Sequence, residues 1–195
     1  KFSFTFGNET VCEGSTTYYQ VNGNATWTVA PAGATLVPAG PNNTGVLWTI
    51  PGTYALTATH TQPGVFCNPD DTRVVQVLAN PILSAIDGPA QFCPGKNYTY
   101  HISSDTEGYD FTWSIPGAVV LSPMGENNDS VVVQWGSANT YSITVWQTIT
   151  PYGCSSQQTL TVAKYPLPTI INGPNTVCID DLATYTAGPG NPPGD

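Results

Sequence analysis

The 195 residues carry four basic side chains, Lys1, Arg73, Lys96 and Lys164, against thirteen acidic ones, for a net charge of −9. That balance repels a phosphate backbone and excludes nucleic acid as a partner. The 19 glycines and 18 prolines, with Val, Ile, Thr, Tyr, Phe and Trp dominating the apolar runs, are strand composition and leave almost no room for α-helix. No run approaches the roughly 20 apolar residues of a membrane span, and none has the charged start and short apolar core of a signal peptide. The chain therefore reads as an internal fragment with no membrane insertion. Five cysteines with few lysines fit an oxidising, extracellular compartment.

Residues 1–6 read as a strand or linker from a preceding module. The first unit, 7–80, opens with Gly7 and GNETVC ending at Cys12, followed by Tyr19. Successive strand side chains face opposite sides, so Tyr19 with Val21, Trp27 with Val29, and Val46 with Trp48 and Ile50 are expected to line one buried face. Tyr54 and Cys67 complete the unit, and residues 81–87 form a short joint. The second unit, 88–164, repeats the opening as GPAQFC ending at Cys93, with Tyr100 after it. Its apolar rows are Tyr100 and Ile102; Phe111, Trp113 and Ile115; Val131, Val133 and Trp135; and Tyr141, Ile143 and Val145. Trp48 matches Trp135, Tyr54 matches Tyr141 and Cys67 matches Cys154, each 87 residues on. After a joint at 165–172, Gly173, Cys178 and Tyr185 write the opening a third time, so 173–195 is expected to be the first fragment of a third unit. Such a fragment is too short to bury a core of its own.

The expected fold class is all-β: tandem β-sandwich modules, two complete, each with one disulfide. The economical pairing is Cys12 with Cys67 and Cys93 with Cys154, one bond per unit, with Cys178 unpartnered. Closing such loops contributes about 4 kcal/mol in the chain-entropy model. The joints are rich in Pro and β-branched residues, where flexible linkers are rich in Gly and Ser, so stacked modules are expected to behave as a semi-rigid rod whose partners include its own neighbouring repeats.

Chemistry-bearing residues are sparse. His60 and His101 occupy non-equivalent positions and read as surface histidines, without a Ser, His and Asp arrangement or metal-ligand spacing. No nucleophile with a base and no phosphate-cradling loop is present, so neither catalysis nor a cofactor is expected. Asp105, Glu107 and Asp110 are candidate oxygen ligands for a weakly held calcium ion, with solvated turns as the commoner explanation. Asp70 and Asp71 are a second acidic pair of the same kind. Trp146 falls on the outward face of its strand, where an indole stacks on a sugar, contacts a neighbouring module or packs under a loop. Asn8, Asn24, Asn42, Asn97 and Asn128 head N-x-S/T sequons, acceptors in a eukaryotic secreted protein.

The second unit shows best, as FCPG (Phe92 to Gly95), WSIPGA (Trp113 to Ala118), VVVQW with Gly136, and TYSITV leading to Gly153 and Cys154, a pattern that with its counterparts in the other repeats covers nearly the whole chain. It resembles the PKD-like (Ig-like) repeat modules of large cell-surface and gliding-motility adhesins of Bacteroidota, exported by the type IX secretion system. The first unit departs from it in its loops, with Ala30 before Pro31 and with Ile50, Pro51 and Gly52 close after Trp48. The resemblance implies a non-catalytic stalk or filament segment on the outer surface, attached to the outer membrane, with other adhesin or fibre subunits and surface polysaccharide as further partners. In that group Asp129, Ser130 and Val131 resemble an O-glycosylation acceptor, making Ser130 the candidate site; the competing reading is a turn entering the Val-rich strand. The alternatives are carbohydrate-binding accessory modules of a secreted hydrolase, which need an aromatic strip around Trp146, and Ig-like modules of a eukaryotic adhesion receptor, which would use the sequons.

Overall fold

A computed structural model describes the chain except for residues 63, 167–170 and 189–195. Part of the expected second joint and the end of the expected third fragment lie outside the described residues. The chain divides into two compact units. Unit 1 comprises 1–82 with 105–109 and 147–156; unit 2 comprises 83–104, 110–146 and 157–195.

Unit 1 holds β1 (Phe4–Phe6), β2 (Thr10–Cys12), β3 (Thr16–Val21), β4 (Ala25–Ala30), β5 (Ala34–Gly40), β6 (Asn43–Trp48), β7 (Gly52–His60) and β8 (Asp70–Leu78). They form two four-stranded sheets, in the orders β1-β3-β6-β5 and β2-β8-β7-β4. All pairings are antiparallel except that of β2 with β8, which is parallel and sets Cys12 beside Leu78. The sandwich closes over Val11, Tyr19, Val46, Trp48, Tyr54, Leu56, Val75 and Val77. At its centre the Trp48 ring lies 6.2 Å from Tyr19 and 5.3 Å from Tyr54.

The second repeat follows the same plan with β9 (Gln91–Phe92), β10 (Asn97–His101), β11 (Phe111–Ser114), β12 (Val119–Met124), β13 (Ser130–Gln134), β14 (Thr140–Ile149) and β15 (Cys154–Lys164), of which residues 147–149 and 154–156 are counted with unit 1. Their sheet orders are β10-β13-β12 and β11-β14-β15-β9. Again the short first strand pairs parallel with the end of the last, Gln91 beside Ala163 and Phe92 beside Lys164. Trp135 repeats the role of Trp48, with ring centroids 5.8 Å from Tyr100 and 4.9 Å from Tyr141. Its indole N–H donates to the Tyr100 hydroxyl at 3.2 Å. The all-β sandwich class is as expected, and the inward rows Val131, Val133 and Trp135 and Ile143 and Val145 are buried. Ile50 is not inward. Strand β6 ends at Trp48 and the chain turns before Gly52, leaving Ile50 54% exposed.

The recurring glycine and tyrosine form one contact in each copy. A Cβ on Gly7, Gly88 or Gly173 would collide with the ring of Tyr19, Tyr100 or Tyr185. Each tyrosine hydroxyl donates to the carbonyl just after that glycine: Asn8 at 2.8 Å, Pro89 at 3.0 Å and Pro174 at 3.0 Å. Gly7 and Gly88 also have φ of 128° and 148°, a region that side-chain-bearing residues avoid. In the third copy β16 (Ile171–Asn172) pairs with β17 (Thr186–Ala187), while Ile179 and Leu182 are fully exposed, so among the described residues this contact forms without a core around it.

Gly7→Ala should therefore cost about 2–4 kcal/mol, because backbone strain adds to overpacking against Tyr19. Gly14→Ala, at φ of 77° with open space around the added methyl, should cost only about 1 kcal/mol. Denaturant titration of the two variants checks the difference. Burial pushes the Tyr19 and Tyr100 phenols up to about 12, the Arg73 charge opposing it at Tyr19 and the Trp135 hydrogen bond at Tyr100. A phenol whose pKa is raised by folding favours the fold fully below its unfolded value near 10, and that contribution is lost as pH rises toward 12. The denaturation midpoint should accordingly lose this contribution between about pH 10 and 12, and less steeply in the Tyr19→Phe, Tyr100→Phe double variant.

Candidate functional site

Cys12 ends β2 and Cys154 opens β15, and the two form a disulfide with a Cα separation of 5.2 Å, inside the range such a bond requires. Both residues belong to unit 1. A tight turn follows Cys12: Ser15 donates its N–H (3.1 Å) and its hydroxyl (2.5 Å) to the Cys12 carbonyl, and the Gly14 N–H donates to Trp48 at 2.7 Å. Opposite, Gly153, at φ of 82°, donates its N–H to Ile149 at 2.8 Å and turns the chain into Cys154, which is 1% exposed. Gly7, Asn8, Glu9 and Thr10 face Pro151 and Tyr152 across a shallow open cleft of about 500 Å³ beside the bond. Arg73 borders this region, donating to the Gly7 carbonyl and standing 4.8 Å over the Phe4 ring.

This pairing corrects the expectation of Cys12 with Cys67 and Cys93 with Cys154; Cys67, Cys93 and Cys178 are free thiols. The reason is strand length. Cys12 lies beside Leu78 at the end of β8, whereas Cys67 precedes Asp70 at its start, and the eight steps from Asp70 to Leu78 cover about 26 Å at roughly 3.3 Å each. Cys93 follows Phe92, which lies beside Lys164, while Cys154 is ten residues back at the opposite end of β15. A disulfide tolerates a Cα separation of about 7 Å at most, so neither expected bond can close. The one-disulfide-per-module part of the expected fold falls with it.

Asp105, Glu107 and Asp110 do not converge. Asp105 Oδ1 accepts the Ile82 N–H at 2.8 Å and the Thr106 hydroxyl at 3.0 Å, so it caps a loop; among the described residues no three His, Cys, Asp or Glu side chains are grouped to hold a metal ion. Asp71 likewise accepts the Phe4 N–H at 3.0 Å. Trp146 is half-buried on the outer face of β14, and its indole N–H donates to Gln157 Oε1 at 2.7 Å, tying the ring to the adjoining strand. Ser130 is half-buried at the start of β13.

Two histidine readings change. His60 is not on the surface: it is 9% exposed and edge-on to Phe2 and Phe66, at 5.3 and 4.8 Å. His101 does join a Ser and an Asp, a grouping invisible in sequence because strand pairing of β10 with β13 sets His101 beside Ser130. His101 Nδ1 lies 2.8 Å from Ser130 Oγ and 3.8 Å from Asp129 Oδ1, and the Ser130 hydroxyl donates to that same Asp129 oxygen at 2.9 Å. A hydrolytic triad needs the serine on one imidazole nitrogen and the aspartate on the other. Here both approach Nδ1 and the hydroxyl hydrogen points to the carboxylate, which makes a turn-stabilising cluster and not an activated nucleophile.

Tandem β-sandwiches of Ig type are thus the class that the fold defines. Residues 78–162 match the PKD-like domain family. No curated protein matches the chain significantly. Among solved structures, the bacterial integrin-binding protein invasin is similar with a TM-score of 0.53 at 11% identity, over 84% of this chain and 38% of invasin. A C-terminal fragment of intimin, solved with the intimin-binding domain of its translocated receptor, gives 0.46 at 15% identity, over 84% of this chain and 63% of the fragment. Murine CEACAM1b gives 0.37 at 8% identity, over 84% of this chain and 100% of its own. The likeness to invasin concerns the fold, and no catalytic family is indicated.

Non-reducing peptide mapping of the oxidised chain should recover the Cys12 peptide linked to the Cys154 peptide, with Cys67, Cys93 and Cys178 alkylated. Recovery of Cys12 linked to Cys67 would show the register of β2 against β8 to be wrong.

Proposed function

We propose that this chain is a segment of a non-catalytic stalk of a secreted bacterial cell-surface adhesin, serving surface attachment or gliding motility. On this reading the chain carries modules at about 7–80 and 88–164, with the opening of another from 173. The observation that carries the reading is the Cys12–Cys154 bond, which closes a covalent loop of 142 residues around most of both sequence repeats. Tension applied at the two ends of the chain enters at Cys12 and leaves at Cys154 through the bond, so the strands between them are sheltered from extension. A catalytic domain gains little from that arrangement; a tether under pull gains resistance to unfolding. The PKD-like domain and the sandwich fold shared with invasin support an extracellular setting.

Single-molecule pulling tests this reading. The oxidised chain should withhold the sheltered loop, and adding a reductant should release about 500 Å of further extension at roughly 3.5 Å per residue. A chain that stretches from the outset like an unfolded polymer, reduced or not, contradicts a stalk. So does retention on an insoluble polysaccharide that Trp146→Ala abolishes, since that outcome belongs to a carbohydrate-binding module.

A further inference from the structure

The local frame that bonds Cys12 is built a second time around Cys93. Strand β9 runs parallel to the end of β15 as β2 runs parallel to the end of β8. The Gly95 N–H donates to the Trp135 carbonyl at 2.9 Å, as Gly14 does to Trp48, and the Lys96 N–H donates to the Cys93 carbonyl at 3.4 Å, as Ser15 does to Cys12. Gly95 and Gly14 share φ values of 79° and 77°. Both cysteines are half-buried, and their repeats place them at the same pole of the sandwich. Cys67 in turn holds the sequence position of Cys154, ahead of the long last strand at the opposite pole.

The partner of a cysteine in this frame is known from the copy that is bonded. Cys12, the first cysteine of its repeat, is joined to the second cysteine of the following repeat, and its own repeat's second cysteine is out of reach by the length of β8. The same strand-length argument removes Cys154 as a partner for Cys93. We infer that Cys93 forms a disulfide with the second cysteine of a following repeat, of the kind opened by Gly173, Cys178 and Tyr185, and that Cys67 does so with the first cysteine of a preceding one. The Cys12–Cys154 bond is then one rung of a ladder that links each repeat covalently to the next. Each rung forms as two thiols lose two protons and two electrons to a disulfide oxidant, small-molecule or protein-borne, which leaves as two thiols; the route is thiolate attack and a mixed disulfide. This inference stands without the stalk reading, since a ladder can form whether or not the chain carries tension.

The test adds one repeat. A chain is made in which residues 88–195 follow directly after Asn172, so that the second repeat is present twice, and it is oxidised with glutathione disulfide. Free thiols are then blocked and the non-reduced chain is digested. The expected links are Cys12 with the first copy's Cys154, and the first copy's Cys93 with the added copy's Cys154. Changing the first copy's Cys93→Ser should expose the added copy's Cys154 to alkylation and leave the Cys12 link untouched. The inference is overturned if the first copy's Cys93 stays alkylatable while Cys12 is bonded, or if it is recovered with Cys67 or Cys178. Absence of the Cys12 link overturns it too, by removing the bond from which the ladder extends. Independently of how the enlarged chain folds, the 195-residue chain must show Cys93 as a thiol; Cys93 bonded within it refutes the inference.

Discussion

In each repeat the short first strand runs parallel to the last residues of a long final strand, Thr10–Cys12 beside Gln76–Leu78 and Gln91–Phe92 beside Ala163–Lys164. This pairing carries the first cysteine to one end of a sheet whose other end carries the second. Strand rise then makes the separation within a repeat several times what a disulfide can span. The covalent bond has to reach outside the repeat, and everything distinctive about the chain's chemistry follows from that geometric exclusion.

The core beneath this frame is aromatic and economical. One tryptophan per sandwich, Trp48 or Trp135, sits between two tyrosines, and the first of those tyrosines reaches past a glycine to a main-chain carbonyl. The hydroxyl is satisfied while the ring is wholly buried, which is why burial can raise its pKa without leaving an unpaired polar group. The glycine is needed twice over, for its φ and for the absence of a Cβ beneath the ring. The contact recurs at Gly173 and Tyr185, where among the described residues no core accompanies it, so it is a local device.

The polar residues singled out as candidates for chemistry serve structure instead. Asp105 caps a main-chain N–H, Asp71 does the same for Phe4, Trp146 is tied to Gln157, and Ser130, His101 and Asp129 satisfy one another at a strand entry. Even the Ser, His and Asp grouping has its groups on the wrong nitrogen for proton transfer.

The sequence by itself determined the all-β class, the repeat and most of the inward faces, because alternation with a period of two and the offset from glycine to tyrosine are local: each is decided within a strand or a turn. It missed Ile50, where a turn displaced the expected alternation; His60, buried by Phe2 and Phe66 from distant segments; and the meeting of His101 with Ser130 across a strand pair. Above all it misassigned the cysteines. Similar spacing in two copies shows that Cys12 corresponds to Cys93 and Cys67 to Cys154, but equivalence says nothing of distance. Which thiol meets which was decided only when parallel pairing and strand length placed the two cysteines of one repeat at opposite ends of a sheet, and brought Cys154, 142 residues away in the chain, to within 5.2 Å of Cys12 between Cα atoms.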